Sequence, residues 1–126
     1  MPIVDHNRVE ETPWRPNYRM FHLAGPKQGV KSSLSYSEVA PGAGAPLHTH
    51  EDDELIVVLE GTLEVRIEDD VHQVGPDHTV VVPPNVAHGF TSVGSRNARL
   101  LGFFPVADAF ERTRYLEGAP PGGHDV

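Results

Sequence analysis

The sequence predicts an all-β fold, a sandwich or barrel of short strands. Three observations carry that expectation. Apolar and polar residues alternate with a period of two, most cleanly over Thr62–Ile67, where Leu63, Val65 and Ile67 are interleaved with Glu64 and Arg66. Twelve glycines and twelve prolines in 126 residues impose many turns and leave little room for long helices. Strand-like segments also recur at close spacing with turn residues between them.

The elements follow in order. Residues 1–20 are polar and interrupted by Pro13 and Pro16, and they read as part of an N-terminal arm, residues 1–29, with little structure of its own. Residues 30–39 alternate loosely, with Val30, Leu34, Tyr36 and Val39 among polar neighbours, and predict a strand. The Gly- and Ala-rich stretch 41–46, bounded by prolines, reads as a loop. A continuous apolar run, 55–59, is followed by a turn at Glu60-Gly61 and by the alternating strand Thr62–Ile67. Asp69-Asp70 is a turn, because short carboxylates tolerate left-handed backbone, and 71–74 returns as a strand. Segments 80–82 and 86–90 flank Pro83-Pro84-Asn85, and 99–104 is a further apolar strand. Residues 107–116 suit one short helix, and the Gly- and Pro-rich tail 117–126 reads as disordered by composition. The chain has the length of one domain, with its core expected at about residues 30–106.

Composition excludes several classes. A formal net charge of -8 argues against nucleic acid, whose phosphates need a basic face. No apolar run approaches the roughly 20 residues of a membrane span. There is no cysteine, hence neither a disulfide framework nor a thiolate metal site. The first residues lack the basic and apolar regions of a secretion signal, so a cytoplasmic location is the default expectation.

Four residues stand out as chemistry. His48 and His50 are separated by one residue, and on an extended strand such a pair shares a face. Glu54 follows at the entrance to the 55–59 strand, and His88 comes just after Pro83-Pro84-Asn85. Three imidazoles and one carboxylate suit a first-row divalent metal. Four protein ligands on an octahedral ion leave two positions for water or substrate, which marks a reactive site rather than a purely structural one. The ligand set carries one negative charge, so the site with a divalent ion stays positive and its natural guest is a small anion or an enolisable oxygen ligand.

These residues also carry a resemblance. Gly42-Ala-Gly-Ala-Pro-Leu-His48-Thr-His50-Glu-Asp-Asp-Glu54-Leu-Ile-Val-Val-Leu-Glu-Gly61 is similar, at every specified position, to the first motif of the cupins, G-x5-H-x-H-x3-E-x6-G. The second motif, G-x5-P-x-G-x2-H-x3-N, is matched at Pro83 and His88, while Asp77, Asn85 and Ser92 stand where the family has Gly, Gly and Asn. Asp and Asn are among the few non-glycine residues that tolerate left-handed backbone, so both turns are expected to survive with some strain. The serine puts a loop hydrogen bond in question. The resemblance implies a double-stranded β-helix, a jelly-roll barrel of six to eight strands. It also implies one divalent ion per chain (Fe, Mn, Ni, Zn, Co or Cu) held by His48, His50, Glu54 and His88. Small cupins commonly pair through sheet edges and exchange an N-terminal segment. The aromatic arm here, with Trp14, Tyr18 and Phe21, therefore suggests a homodimer.

Each reading has a plainer counterpart. A His-x-His pair alone is often a solvated strand face. Glu51, Asp52 and Asp53 suit a solvated turn, with Asp53 the alternative to Glu54 as ligand. His72, His78, His6, His22 and His124 suit the surface or loops. Phe103 and Phe104 suit barrel packing, whereas Tyr36 and Phe90 are the aromatics expected to line a pocket, Phe90 because it lies two residues from His88. Arg99 is either a substrate anchor or a surface residue of an edge strand. The function that follows is an enzyme whose metal chelates a small oxygen-rich anion, either a dioxygenase or a Lewis-acid isomerase or lyase. Val-Pro-Pro-Asn-Val-Ala-His-Gly resembles small cupins acting on keto sugar acids. The alternatives are a non-catalytic binding or sensory domain and, last, a storage role.

Overall fold

A computed structural model describes residues 3–122. Among the described residues there are eleven strands: β1 Glu11–Arg15, β2 Tyr18–Ala24, β3 Ser33–Val39, β4 Gly44–His50, β5 Glu54–Glu60, β6 Thr62–Ile67, β7 Asp70–Val74, β8 Thr79–Val82, β9 His88–Val93, β10 Ala98–Phe104 and β11 Thr113–Tyr115. They form two antiparallel sheets. One has the order β1-β2-β3-β10-β5-β8 and the other β11-β4-β9-β6-β7. The two layers enclose a core of alternate residues, including Met20, Val39, Ile56, Val58, Leu63, Val65 and Leu100. This is the all-β architecture expected from the pattern, in the two-layered jelly-roll form that the resemblance implies. No described helix is long and apolar enough to cross a membrane.

Three turns explain the motif residues. Gly61 joins β5 to β6 at φ +81°, and a side chain there would lie 2.7 Å from the Ala98 Cα, so both conformation and space demand glycine. Asp77 and Asn85 adopt φ of 68° and 64°, so the two substitutes do hold the left-handed turns. The Asn85 N–H donates to the His50 carbonyl at 2.7 Å, which ties the Pro-Pro-Asn turn to β4.

Three segments differ from expectation. Residues 11–24 are not an unstructured arm: they form β1 and β2 and extend the first sheet beyond β3. Pro13 is tolerated because β1 is the sheet's edge, where a missing N–H costs no ladder bond. Pro16-Asn17 makes the two-residue connection, with Asn17 at φ 60°. The stretch 41–46 is a loop only to residue 43, since β4 begins at Gly44. Its small residues serve close packing, because a Cβ on Gly44 would fall 1.9 Å from the Phe90 carbonyl oxygen on β9. Residues 107–116 are not a helix but a single 3-10 turn, Ala109–Arg112, and then β11, which pairs with β4. A ten-residue segment gains little from its own helical bonds and more from completing a sheet. The tail expectation falls partly on residues 123–126, outside the described residues.

Candidate metal centre

The site is assembled by strand geometry. His48 and His50 sit two apart on β4 and face inward together. His88 opens β9 directly opposite His48 in the ladder, and Glu54 opens β5 in the facing sheet. One ligand atom from each of the four lies within 4.8 Å of every other. The His88 Nε2 is 2.9 Å and the His50 Nε2 3.4 Å from Glu54 Oε1, and the Nε2 atoms of His48 and His50 are 3.1 Å apart. All three histidines are buried, at 5%, 2% and 2% exposure for His48, His50 and His88.

The outer nitrogens determine what the inner ones can do. His48 Nδ1 lies 2.6 Å from the Pro46 carbonyl and His88 Nδ1 2.9 Å from the Val86 carbonyl. A carbonyl only accepts, so both Nδ1 atoms carry the proton and donate. The Thr113 hydroxyl donates to the Ala109 carbonyl at 3.1 Å, which leaves it to accept from His50 Nδ1 at 2.6 Å. In the neutral rings every Nε2 is then a lone pair aimed at the cluster centre. Three lone pairs and a carboxylate at these separations repel one another unless a cation sits among them, either a proton or a metal ion. The donor set therefore fits a divalent metal, with the outer hydrogen bonds holding each ring as ligand-binding histidines require.

Electrostatics agree. Burial, with the neighbouring charge of His88 and His50, pushes His48 down to about 4, so it stays neutral and able to ligate at ordinary pH. Burial pushes the Glu54 carboxyl up, but hydrogen bonds and charge from His50 and His88 outweigh it and hold the group at about 2.

Above the cluster lies a cleft with aromatic walls. Phe104 and Phe110 set their edges against His50 at 5.1 and 6.0 Å between ring centroids, and Tyr115 tilts over His48 at 5.3 Å. Trp14 packs on Phe110 at 5.0 Å, and Tyr18 lies between Trp14 and Phe90. Arg15 is the one cation other than histidine along the described lining, its guanidinium 5.4 Å from the Tyr115 ring centre. Burial pushes the Tyr18 hydroxyl well above its ordinary range.

Of the residues singled out in the sequence, the structure brings His48, His50, Glu54 and His88 together, with Phe90 on the cleft wall. It does not bring Tyr36 there. Inward-facing residues of β3 are Ser35 and Ser37, and Tyr36 points out of the barrel, donating to Glu38 at 2.9 Å and accepting from Arg99 at 2.6 Å. Arg99 is accordingly a surface residue. Asp53 is exposed and outside the cluster, while Asp52 accepts two hydrogen bonds from Arg112. His6, His22, His72 and His78 are exposed, and His124 lies outside the described residues. Sequence reasoning missed Thr113, Arg15, Phe110 and Tyr115. It noticed Trp14 and Tyr18 as aromatics needing a surface, and that surface is the chain's own cleft.

The family model for the cupin domain matches residues 35–104. Comparison with curated protein sequences gave no match. Among solved structures, the polyketide cyclase RemF from Streptomyces resistomycificus is similar at 25% identity, over 94% of this chain and 87% of that one, with a TM-score of 0.80. KdgF from Halomonas sp. is similar at 19% identity, over 86% and 96%, with a TM-score of 0.74. A mutant of the Bacillus subtilis oxalate decarboxylase OxdC is similar at 16% identity and a TM-score of 0.76, with 92% of this chain covering 33% of that one.

Proposed function

The chain belongs to the cupin family, and from that premise we propose that it is a metal-dependent enzyme acting on a small, enolisable keto anion bound directly to the ion. The observation that carries this reading is the inward convergence of three Nδ1-anchored imidazoles with Glu54 at the base of an aromatic cleft. One divalent ion, from Fe, Mn, Ni, Zn, Co or Cu, would supply a Lewis acid for the substrate's oxygens, or an oxygen-activating centre if redox-active. The chain's own residues do the rest. Ile56, Leu100, Phe90 and Phe104 keep water from the cleft and so strengthen every charge interaction within it. Arg15 offers its guanidinium to the anion's outer end.

The walls favour a flat, conjugated keto-enol over a polyhydroxylated sugar acid. Trp14, Tyr18, Phe110 and Tyr115 present ring faces and edges that suit a flat, conjugated guest. Similarity to a polyketide cyclase supports the same substrate character. Between the two chemistries it favours the Lewis-acid one, since closing a ring from a keto-enol requires no net oxidation.

The test starts with the metal content of protein purified without an affinity tag. One equivalent is expected, and its persistence in the His50→Ala, His88→Ala double variant would place the site elsewhere. Zinc-loaded protein is then assayed on conjugated β-dicarbonyls and 2-oxo acids without oxygen. Turnover is expected; strict dependence on oxygen and a redox metal would overturn the Lewis-acid reading in favour of a dioxygenase. A cobalt-loaded spectrum that responds to acetylacetone with no compound turned over would make the chain a binding domain. No response at all would refute direct chelation.

A further inference from the structure

The cleft above the donor cluster holds a separate cation. Arg15 ends β1, and its guanidinium lies 5.4 Å from the centre of the Tyr115 ring. That ring in turn tilts over His48 at 5.3 Å between centroids, so Tyr115 is the step between the guanidinium and the donors. Arg8, Arg19, Arg66, Arg96, Arg99 and Arg112 each pair with a carboxylate of the chain. Among the described residues Arg15 and Arg114 pair with none, and of these two only Arg15 lines the cleft. The chain carries eighteen acidic side chains and a net charge of -8. An arginine left without a carboxylate in such a chain, beside a cleft, is free to take an anion from outside.

The guanidinium is also held in place. Its Nη2 donates to the Ala119 carbonyl at 2.6 Å, with the Tyr115 ring against it. A carbonyl and a ring face are both neutral, and one carbonyl cannot satisfy five N–H donors. Ala119 belongs to a C-terminal strap fixed to the strand that carries His48 and His50. The Leu116 and Glu117 N–H groups both donate to the Leu47 carbonyl, at 2.9 and 3.1 Å. Gly118, at φ +64°, lies so near Pro46 that a Cβ there would fall 3.0 Å from the proline ring. Pro46 is also the residue whose carbonyl holds His48. Beyond Ala119 the strap is anchored again by Pro121, which is fully buried. Residues 46–48 of β4 therefore register the guanidinium against the donors at a set separation.

We propose that Arg15 is a specificity-determining residue that reads a carboxylate at the far end of the substrate, away from the oxygens that chelate the ion. This rests on the direct-chelation reading above and deepens it. The substrate class becomes a conjugated keto-enol with a remote carboxylate, laid along the Tyr115 ring. Charge calls for two separate anionic groups: a divalent ion with Glu54 keeps one positive charge, which an enolate neutralises, and Arg15 needs another. Shape calls for a carboxylate, which a planar guanidinium matches through two parallel N–H···O bonds. The three outer oxygens of a phosphate need more donors than the one guanidinium on the described lining supplies.

Titrations of the cobalt-loaded protein, read from the cobalt spectrum, test this. The probes are 4-acetoacetylbenzoate and 4,6-dioxoheptanoate, a long and a short β-dicarbonyl with a terminal carboxylate. Each is compared with its methyl ester, and acetylacetone serves as the chelator without a carboxylate. The wild type should bind at least one acid about tenfold more tightly than its ester, the size of a charge-assisted pair. Arg15→Gln should bring that acid down to its ester's affinity. Arg15→Lys should restore part of the preference, since an ammonium keeps the charge but not the fork. Far-UV circular dichroism and cobalt stoichiometry check that each variant is folded and loaded. A wild type that responds to acetylacetone but binds acids and esters alike overturns the role of Arg15 and leaves chelation standing. A preference that survives in Arg15→Gln places the carboxylate on another group and overturns it too. No response to any probe overturns direct chelation, and the remote-carboxylate reading falls with it.

Discussion

Each imidazole of the cluster is held from behind, and the hold on His50 is the one that a side-chain substitution can remove. Pro46 and Val86 supply backbone carbonyls, but Thr113 supplies a hydroxyl, aimed by its own bond to Ala109. Thr113→Val keeps the shape and the β-branched strand propensity and deletes the acceptor. His50 then loses its orientation and its preferred tautomer, and metal affinity should fall about tenfold, at the low end for loss of a supporting partner. Competition against a chromophoric chelator measures this, and an unchanged affinity would mean that packing alone orients the ring. Ser92 makes the opposite case. Its side chain is fully buried, and its hydroxyl has no partner among the described residues. The backbone already supplies the loop bonds, Ser92 N–H to the Ala43 carbonyl at 2.8 Å and Gly42 N–H to the Ser92 carbonyl at 2.8 Å. An unsatisfied buried hydroxyl costs roughly 1–3 kcal/mol, so Ser92→Ala should leave stability unchanged or raise it by up to about 1 kcal/mol after a small void is counted. Denaturant unfolding reads the sign, and a clear loss of stability would show that the hydroxyl is satisfied after all.

The elements divide into those that announce themselves and those that depend on distant partners. β5, β6 and β10 are legible because each carries its own apolar run or alternation, and the four donors are legible because three share the short stretch from the end of β4 to the start of β5 and the fourth follows the Pro83-Pro84-Asn85 turn at the start of β9. β1, β2 and β11 are not. Two prolines obscure the first pair, and three-residue β11 exists because β4 offers it an edge, so the cleft walls they bring, including Trp14, Arg15 and Tyr115, are hidden from local reading. Tyr36 shows a subtler limit. The more apolar parity of β3, with Leu34 and Tyr36, suggests the inward face, yet Ser35 and Ser37 face inward, because the outer surface of this sheet is itself apolar. At this scale the segment after β10 also walls the cleft. Its 3-10 turn presents Phe110 to His50 and is tied down by Arg112, which bonds Asp52 at 2.8 Å and Asp108 at 2.8 Å. Arg112 is partly exposed, so solvent screening leaves the pair little part in global stability. The expected effect of Arg112→Ala is therefore kinetic. Metal should be stripped by a chelator several times faster, while equilibrium affinity changes less, and a stripping rate equal to wild type would show that the turn does not guard the ion.

At the scale of the whole molecule, the cluster is a stability cost that the metal offsets. Folding buries His48 as the neutral base, with its ordinary value of 6.5 pushed down to about 4. Above pH 6.5 neither state binds the proton and there is no linkage term. As pH falls below 6.5 the unfolded chain takes it up while the folded chain refuses it until about pH 4, so the metal-free protein should lose on the order of 3 kcal/mol between those two values. Glu54 acts in the same direction lower down. Held at about 2 against an ordinary 4.5, it stabilises the fold above 4.5 and withdraws that support as pH falls towards 2. A divalent ion binds the folded donors and finds no preformed site in the unfolded chain, so at one hundred times its dissociation constant it should add about 2.7 kcal/mol. For a domain of this length that corresponds to roughly 10 °C in Tm. The increment should hold while the folded His48 stays neutral and shrink as pH falls to about 4, where protons begin to compete with the metal for its Nε2. Thermal unfolding at neutral pH and at pH 4, each with and without the ion, measures all of this on one protein. A metal increment that is the same at both pH values would mean that the ion is held by groups other than His48 and its neighbours, and no increment at either would mean that the four donors are not a metal site.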